Sequence, residues 1–157
     1  MKTDKGKRIK ILFRFYSNLL EEVVVETMWA IVVDKEKGQY RLDSIPFYAE
    51  SLASGDLVFA EYDDGEKMLT YRETLEYSGN TTIQVIVMDE QQDVEEIRKI
   101  FNNMACETEK FKGSFFSMEV SAEIDYKPIR LKLQDMMENG ILEYAESCLS
   151  DLHSEQI

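Results

Sequence analysis

Imidazole, thiol and clustered glycine are the groups from which hydrolytic, redox and phosphate-binding sites are built, and this chain is poor in all three. It has one histidine, His153, two cysteines, Cys106 and Cys148, and seven glycines. A Ser-His-Asp or Cys-His apparatus needs an imidazole held rigidly beside its nucleophile. His153 stands four residues from Ile157, in a polar segment expected to fray. Zinc needs several Cys or His ligands at close spacing, and two distant cysteines with a tail histidine do not provide that. The cysteines lack flanking basic residues that would lower a thiol pKa, so they read as small buried hydrophobes and as free thiols in a reducing compartment. Gly6, Gly38, Gly55, Gly65, Gly79, Gly113 and Gly140 stand apart, each suited to a turn or cap, and no phosphate-cradling loop is formed. The sequence predicts no catalytic residue, no metal and no cofactor.

Carboxylates are abundant. Asp63 and Asp64 lie at a hairpin tip with Glu66, where turns select Asp for local backbone bonding. Asp89, Glu90 and Asp93 surround the start of a helix, where acidic groups complement the helix dipole; they are also candidates for an acidic, partner-facing patch. A second group of candidates is aromatic and charged: Trp29, the sole tryptophan, with Arg41, Asp43 and Phe47. Arg41 and Asp43 are two apart and so project from one face of a strand. Beside aromatics, such a pair could line a binding cleft, or serve only structure.

The elements that must position these residues are of two kinds. Residues 8–16 alternate, with Ile9, Ile11, Phe13 and Phe15 on one face and Lys10 and Arg14 on the other. Residues 22–33 are rich in Val and Ile. Further strands are expected at 39–47, 57–62 and 68–77, the last two joined by the Asp63-Asp64-Gly65 hairpin signal. After the break at Ser78-Gly79-Asn80 the pattern changes. It predicts a strand at 82–88, an amphipathic helix from about Asp93 to Asn103, strands at 106–110 and 115–124, a helix beginning near Asp125 with Pro128 in its first turn, and a strand at 141–148. The helix carries Val94, Ile97, Phe101 and Met104 at helical spacing. The order strand, helix, strand, strand, helix, strand is that of the ferredoxin-like split βαβ arrangement. The expected fold is therefore α+β: a small curved β-sheet or barrel over 8–79, a ferredoxin-like βαββαβ lobe over 80–149, and a frayed tail over 150–157.

Charge narrows the classes of partner. The 157 residues carry a net charge of -13, and six of the 18 basic residues (Lys2, Lys5, Lys7, Arg8, Lys10, Arg14) fall in the first 14 positions. An acidic body repels phosphate backbones and anionic membranes and attracts basic proteins. No stretch approaches the roughly 18 apolar residues of a membrane span, and no signal peptide is read. The expectations are a cytoplasmic protein with a basic protein partner, no nucleic acid and no membrane, the oligomeric state being left open.

The strings TMWAIVV, YRLDSIPFYAESLASGDLV, SGNTTIQVIV and GILEYAESCL resemble those of bacterial domain-of-unknown-function family 4265, over roughly residues 8–149. The resemblance implies a bacterial cytosolic origin and supplies no activity. It carries over Trp29, Arg41, Asp43, Pro46, Phe47, Gly55, Asp56, Ser78 and Gly79 as the matching positions. Small size, acidity and the lack of a catalytic apparatus point to a non-enzymatic binding module, in its sharpest form an immunity protein neutralising a basic toxin such as a nuclease. The alternative is a small-molecule-sensing regulatory domain.

Overall fold

A computed structural model describes residues 4–18 and 20–157; Lys2 of the basic strip lies outside them. The chain divides between Ser78 and Gly79 into two compact units.

The N-terminal unit holds β1 (Arg8–Ser17), β2 (Glu22–Asp34), β3 (Gln39–Leu42), β4 (Leu57–Asp63) and β5 (Met68–Glu76). They hydrogen-bond in sequence order, and β1 meets β5 in parallel at Leu12↔Thr70, so the curved sheet closes on itself. The expected alternation supplies the core: Ile11 and Phe13 of β1 pack with Met28, Ala30 and Val32 of β2, Tyr40 and Leu42 of β3, and Val58 and Ala60 of β4. Phe13 stacks on Tyr71, ring centroids 4.9 Å apart. Gly38 turns β2 into β3 at φ +68, and a Cβ there would stand 2.7 Å from Phe59 and 2.8 Å from the Ala60 carbonyl. No other residue type meets both the left-handed backbone and that close approach.

One sequence expectation changes in this unit. The third strand ends at Leu42, not Phe47, because residues 43–56 fold over the core as a loop in which the N–H groups of Phe47, Tyr48 and Ala49 donate to the Glu26 carboxylate and not to a ladder. Buried Ala49 and Leu52 join that core. The hairpin expected at Asp63-Asp64-Gly65 is present, and its left-handed residue is Lys67 (φ 62). Asp63 fixes this wider turn, accepting from the N–H groups of Gly65 (2.8 Å) and Glu66 (3.0 Å).

The C-terminal unit holds β6 (Thr81–Val87), α1 (Val94–Asn102), β7 (Glu107–Lys110), β8 (Phe115–Val120), α2 (Lys127–Glu138), β9 (Leu142–Cys148) and α3 (Asp151–Ser154). The strands form one antiparallel sheet in the order β7-β8-β6-β9. Ile83 and Val85 pair with Met118 and Phe116, and these join Ile97 and Phe101 of α1 and Ile129, Leu133 and Met136 of α2 in one core. Both helices therefore cover the same face. Asp93 caps α1 by accepting from the Glu95 N–H, and α2 stops at Asn139 before Gly140 at φ +73. Among the described residues no helix is long and apolar enough to cross a membrane.

The expected frayed tail is folded. Residues 151–154 form α3, capped by Ser150, and His153 is fully buried. Its Nε2 faces two carbonyls, Ser121 (3.1 Å) and Ile124 (3.0 Å), which can only accept, so Nε2 carries the proton. Nδ1 then accepts from the Thr81 hydroxyl at 2.6 Å. Gln156 adds a second anchor by accepting from the Tyr126 N–H at 2.7 Å. Polarity made this segment look solvated, yet the polarity satisfies backbone groups that would otherwise be buried unpaired.

Candidate functional site

The densest set of sequence candidates lies in the segment from Tyr40 to Val58, and the structure gives most of them structural work. Tyr40 and Leu42 point into the core. Gly55 donates to the Leu42 carbonyl (2.8 Å), and Leu42 donates to the Asp56 carbonyl (2.9 Å), so the two ends of the loop are stitched together. The Arg41 guanidinium adds a bond to the Gly55 carbonyl at 2.8 Å. Arg41 does not pair with Asp43, as their spacing had suggested; Asp43 accepts instead from Arg8 Nε at 3.1 Å.

Two carboxylates hold the loop from within. Glu26, the lone charge in an apolar run of β2, shares the parity of Met28 and Ala30. It accepts from three successive N–H groups, Phe47 (2.7 Å), Tyr48 (3.1 Å) and Ala49 (3.0 Å). Asp56 is 1% exposed and accepts from Ala53 (3.0 Å) and Ser78 (2.8 Å), while the Ser78 hydroxyl donates to the Ser54 carbonyl (2.9 Å). Burial pushes the Asp56 carboxyl up, opposed by those hydrogen bonds and by Arg41. Phe47 and Pro46 are thus parts of a closed loop over the core. Glu26 was missed by sequence reasoning, although a carboxylate isolated among Val, Met and Trp was the available signal.

Trp29 is placed differently. It lies on the outward face of β2, 38% exposed, with the Arg8 guanidinium 4.6 Å and the Lys10 ammonium 5.0 Å from its ring centroid. Its carbonyl accepts from Asp43 and its N–H donates to the Ser44 hydroxyl. Trp29, Asp43 and Arg41 therefore share the outer surface of the N-terminal unit, joined by Arg8 and Lys10, which had counted only as members of a basic strip.

The acidic candidates divide. Asp63, besides its turn bonds, pairs with Arg72 (2.9 Å), which also holds Glu61 (3.0 Å). These contacts set the Asp63 carboxyl below its usual value, Arg72 first among the causes. Asp89 accepts from the Gln91 N–H, and Asp93 is occupied by its cap. Asp64 and Glu90 are exposed.

In the C-terminal unit a buried polar group escaped sequence reasoning. The Tyr126 phenol donates to Glu146 Oε2 at 2.5 Å, and Arg130 Nε donates to the same oxygen at 3.2 Å. Burial, and then the Glu146 carboxylate, drive the phenol far above its ordinary pKa. Neither cysteine forms a disulfide. Burial pushes the Cys106 thiol up to about 12, whereas Cys148 is half-buried. The thiolate is the reactive species, so a thiol reagent at pH 8 is expected to label Cys148 well before Cys106 in the folded chain. In denaturant both should react together, and equal native rates would contradict the burial of Cys106.

With this geometry in place, comparison with known proteins decides the family. A family profile, "Domain of unknown function (DUF4265)", matches residues 26–144. The chain belongs to the DUF4265 family. The match begins at Glu26 inside β2 and ends at Tyr144 inside β9, so it contains the loop, Trp29 and Asp56. A solved structure described as "Novel crystal structure of a hypothetical protein from Neisseria gonorrhoeae" is similar to this DUF4265 chain. It has a TM-score of 0.78 and 24% identity, over 92% of this chain and 96% of that one, which shows a shared fold. No curated protein matches the chain.

Proposed function

We propose that this DUF4265 protein is a cytoplasmic, non-enzymatic binding module whose C-terminal unit captures a basic protein, in its sharpest form as an immunity protein against a basic toxin. The unit itself reads as a ferredoxin-like βαββαβ lobe, supported by its antiparallel strand order and by both helices lying on one face.

The observation that carries the reading is the uneven charge of the two units. Residues 79–157 hold 16 acidic and 7 basic side chains, against 15 and 11 in residues 1–78. Within the C-terminal unit the excess is dense along α1 and β7, where residues 89–110 carry seven carboxylates and three cations. Glu90, Glu96, Glu107 and Glu109 are exposed there, the last two on an edge strand that pairs only with β8. Such a surface steers a cationic partner and raises its association rate, most strongly at low salt.

The test is capture of partners from source-cell extract at low salt and release at high salt, followed by reconstitution with the purified partner. A basic protein should bind one to one and lose its own activity on binding. Its association should slow about tenfold when Glu90, Glu96, Glu107 and Glu109 are changed to Lys. Binding indifferent to salt and to those changes would sink the reading.

A further inference from the structure

The outward face of the β1–β2 hairpin has the opposite character from the rest of the molecule. Its cross-strand pairs run Lys10↔Trp29, Leu12↔Thr27, Arg14↔Val25 and Tyr16↔Val23. Outward-facing residues of a strand of a closed sheet ordinarily alternate with its core residues as polar groups. On β2 they are Val23, Val25, Thr27, Trp29, Ile31 and Val33. Val23 is 57% exposed, Val25 47% and Tyr16 55%. None of these outward positions, nor Lys10, Leu12 or Arg14 opposite them, is acidic, in a chain with 31 carboxylates. From Val23 to Trp29 the stripe runs about 20 Å, at ~3.3 Å per residue.

Cations flank it on the β1 side. Lys10 and Arg8 lie against the indole, and Arg14 stands beside Val25. Arg14 is paired with Glu66 and Arg8 with Asp43, each across an exposed contact. Exposed pairs of this kind hold their geometry weakly, so either arginine can turn to an incoming carboxylate at little cost. Exposed apolar area rimmed by charge marks an interaction surface, and Trp, Tyr and Arg are the residue types that dominate binding energy at such surfaces.

We propose that this face docks an acidic segment of another protein, its apolar side chains lying along Val23, Val25 and Trp29 and its carboxylates meeting Arg8, Lys10 and Arg14. Charge complementarity selects that occupant. A basic segment would be repelled by Lys10 and would leave Arg8 and Arg14 with Asp43 and Glu66, whereas carboxylates can engage all three cations. The surface is on the N-terminal unit, so this goes beyond the basic partner proposed for the C-terminal unit and stands or falls separately.

Trp29, the only tryptophan, reports on the face directly. The probe is a synthetic peptide of about 15 residues in which Glu alternates with Leu and Phe, long enough to cover the stripe. It should shift Trp29 emission saturably in the full chain, and the apparent Kd should rise at least tenfold when salt screens the contacts. The Arg8→Glu, Lys10→Glu double variant should lose binding by more than tenfold. Val23→Ser with Val25→Ser, at exposed positions that leave the core intact, should weaken it severalfold with emission as readout. A Gln-for-Glu peptide that binds as well would overturn the proposal. So would a single-stranded oligonucleotide that competes more strongly, since the face would then be a stacking platform for nucleic acid. Concentration-dependent self-association that shifts Trp29 emission without peptide would overturn it too, by making a second copy the occupant.

Discussion

Asp56→Ala is expected to lower the unfolding free energy by about 3 kcal/mol, measured by urea denaturation at neutral pH. The carboxylate is buried and its two oxygens serve different N–H groups, Oδ2 that of Ala53 and Oδ1 that of Ser78. Alanine strands both donors away from water, and each orphaned buried donor costs about 1–3 kcal/mol. Asp56→Asn should also destabilise, because its NH2 must face one of the two N–H groups. The pH dependence separates the effects. Burial raises the folded-state pKa of Asp56 above the ordinary 3.8. Between 3.8 and the higher folded value, the folded chain keeps a proton that the unfolded chain has released. The stabilisation linked to that proton is fully present below 3.8 and is lost as pH rises through the folded value. The stability gap between the native chain and Asp56→Asn should therefore narrow from about pH 3.5 upwards. A gap that widens over that range would mean that the hydrogen bonds and Arg41 outweigh burial.

His153→Ala should cost a comparable amount, about 3 kcal/mol, from a lost buried side chain and from partners left unmade. The Thr81 hydroxyl and the carbonyls of Ser121 and Ile124 would lose their ring partner. Leu152→Ala and Ser154→Ala, one residue to either side and exposed, should stay within about 0.5 kcal/mol of the native chain. Thermal denaturation of the three variants checks this. Equal, small effects at all three positions would mean that α3 is not docked in solution.

These two residues show where the sequence ran out. Asp56 belonged to a recognisable string, but nothing in Gly55-Asp56-Leu57 says that its carboxylate reaches Ser78, 22 residues on. His153 read as a solvated tail residue because its neighbours are Leu152, Ser154 and Glu155, and its partners lie 29 to 72 residues away. Glu26 escapes notice for the same reason: its two carboxylate oxygens accept from the N–H groups of residues 47–49, and only the folded loop brings those N–H groups together. Trp29 stands out in the sequence only by its rarity, and the cations that define its surroundings come from β1 by cross-strand register.

The sequence by itself determined the succession of strands and helices as far as β9, the change of pattern near Ser78 and the α+β class, and its strings resemble those of the DUF4265 family. The elements, the change of pattern and the class rest on local periodicity, turn chemistry and composition, which are properties of neighbouring residues. Only the tertiary structure decided that residues 43–56 close as a loop over the core and that the C-terminal segment folds back through His153. It also decided that the outward face of β2 is apolar and edged with cations. Each depends on which distant groups meet, and hydrogen-bond satisfaction and packing across long sequence separations set that only once the chain has folded.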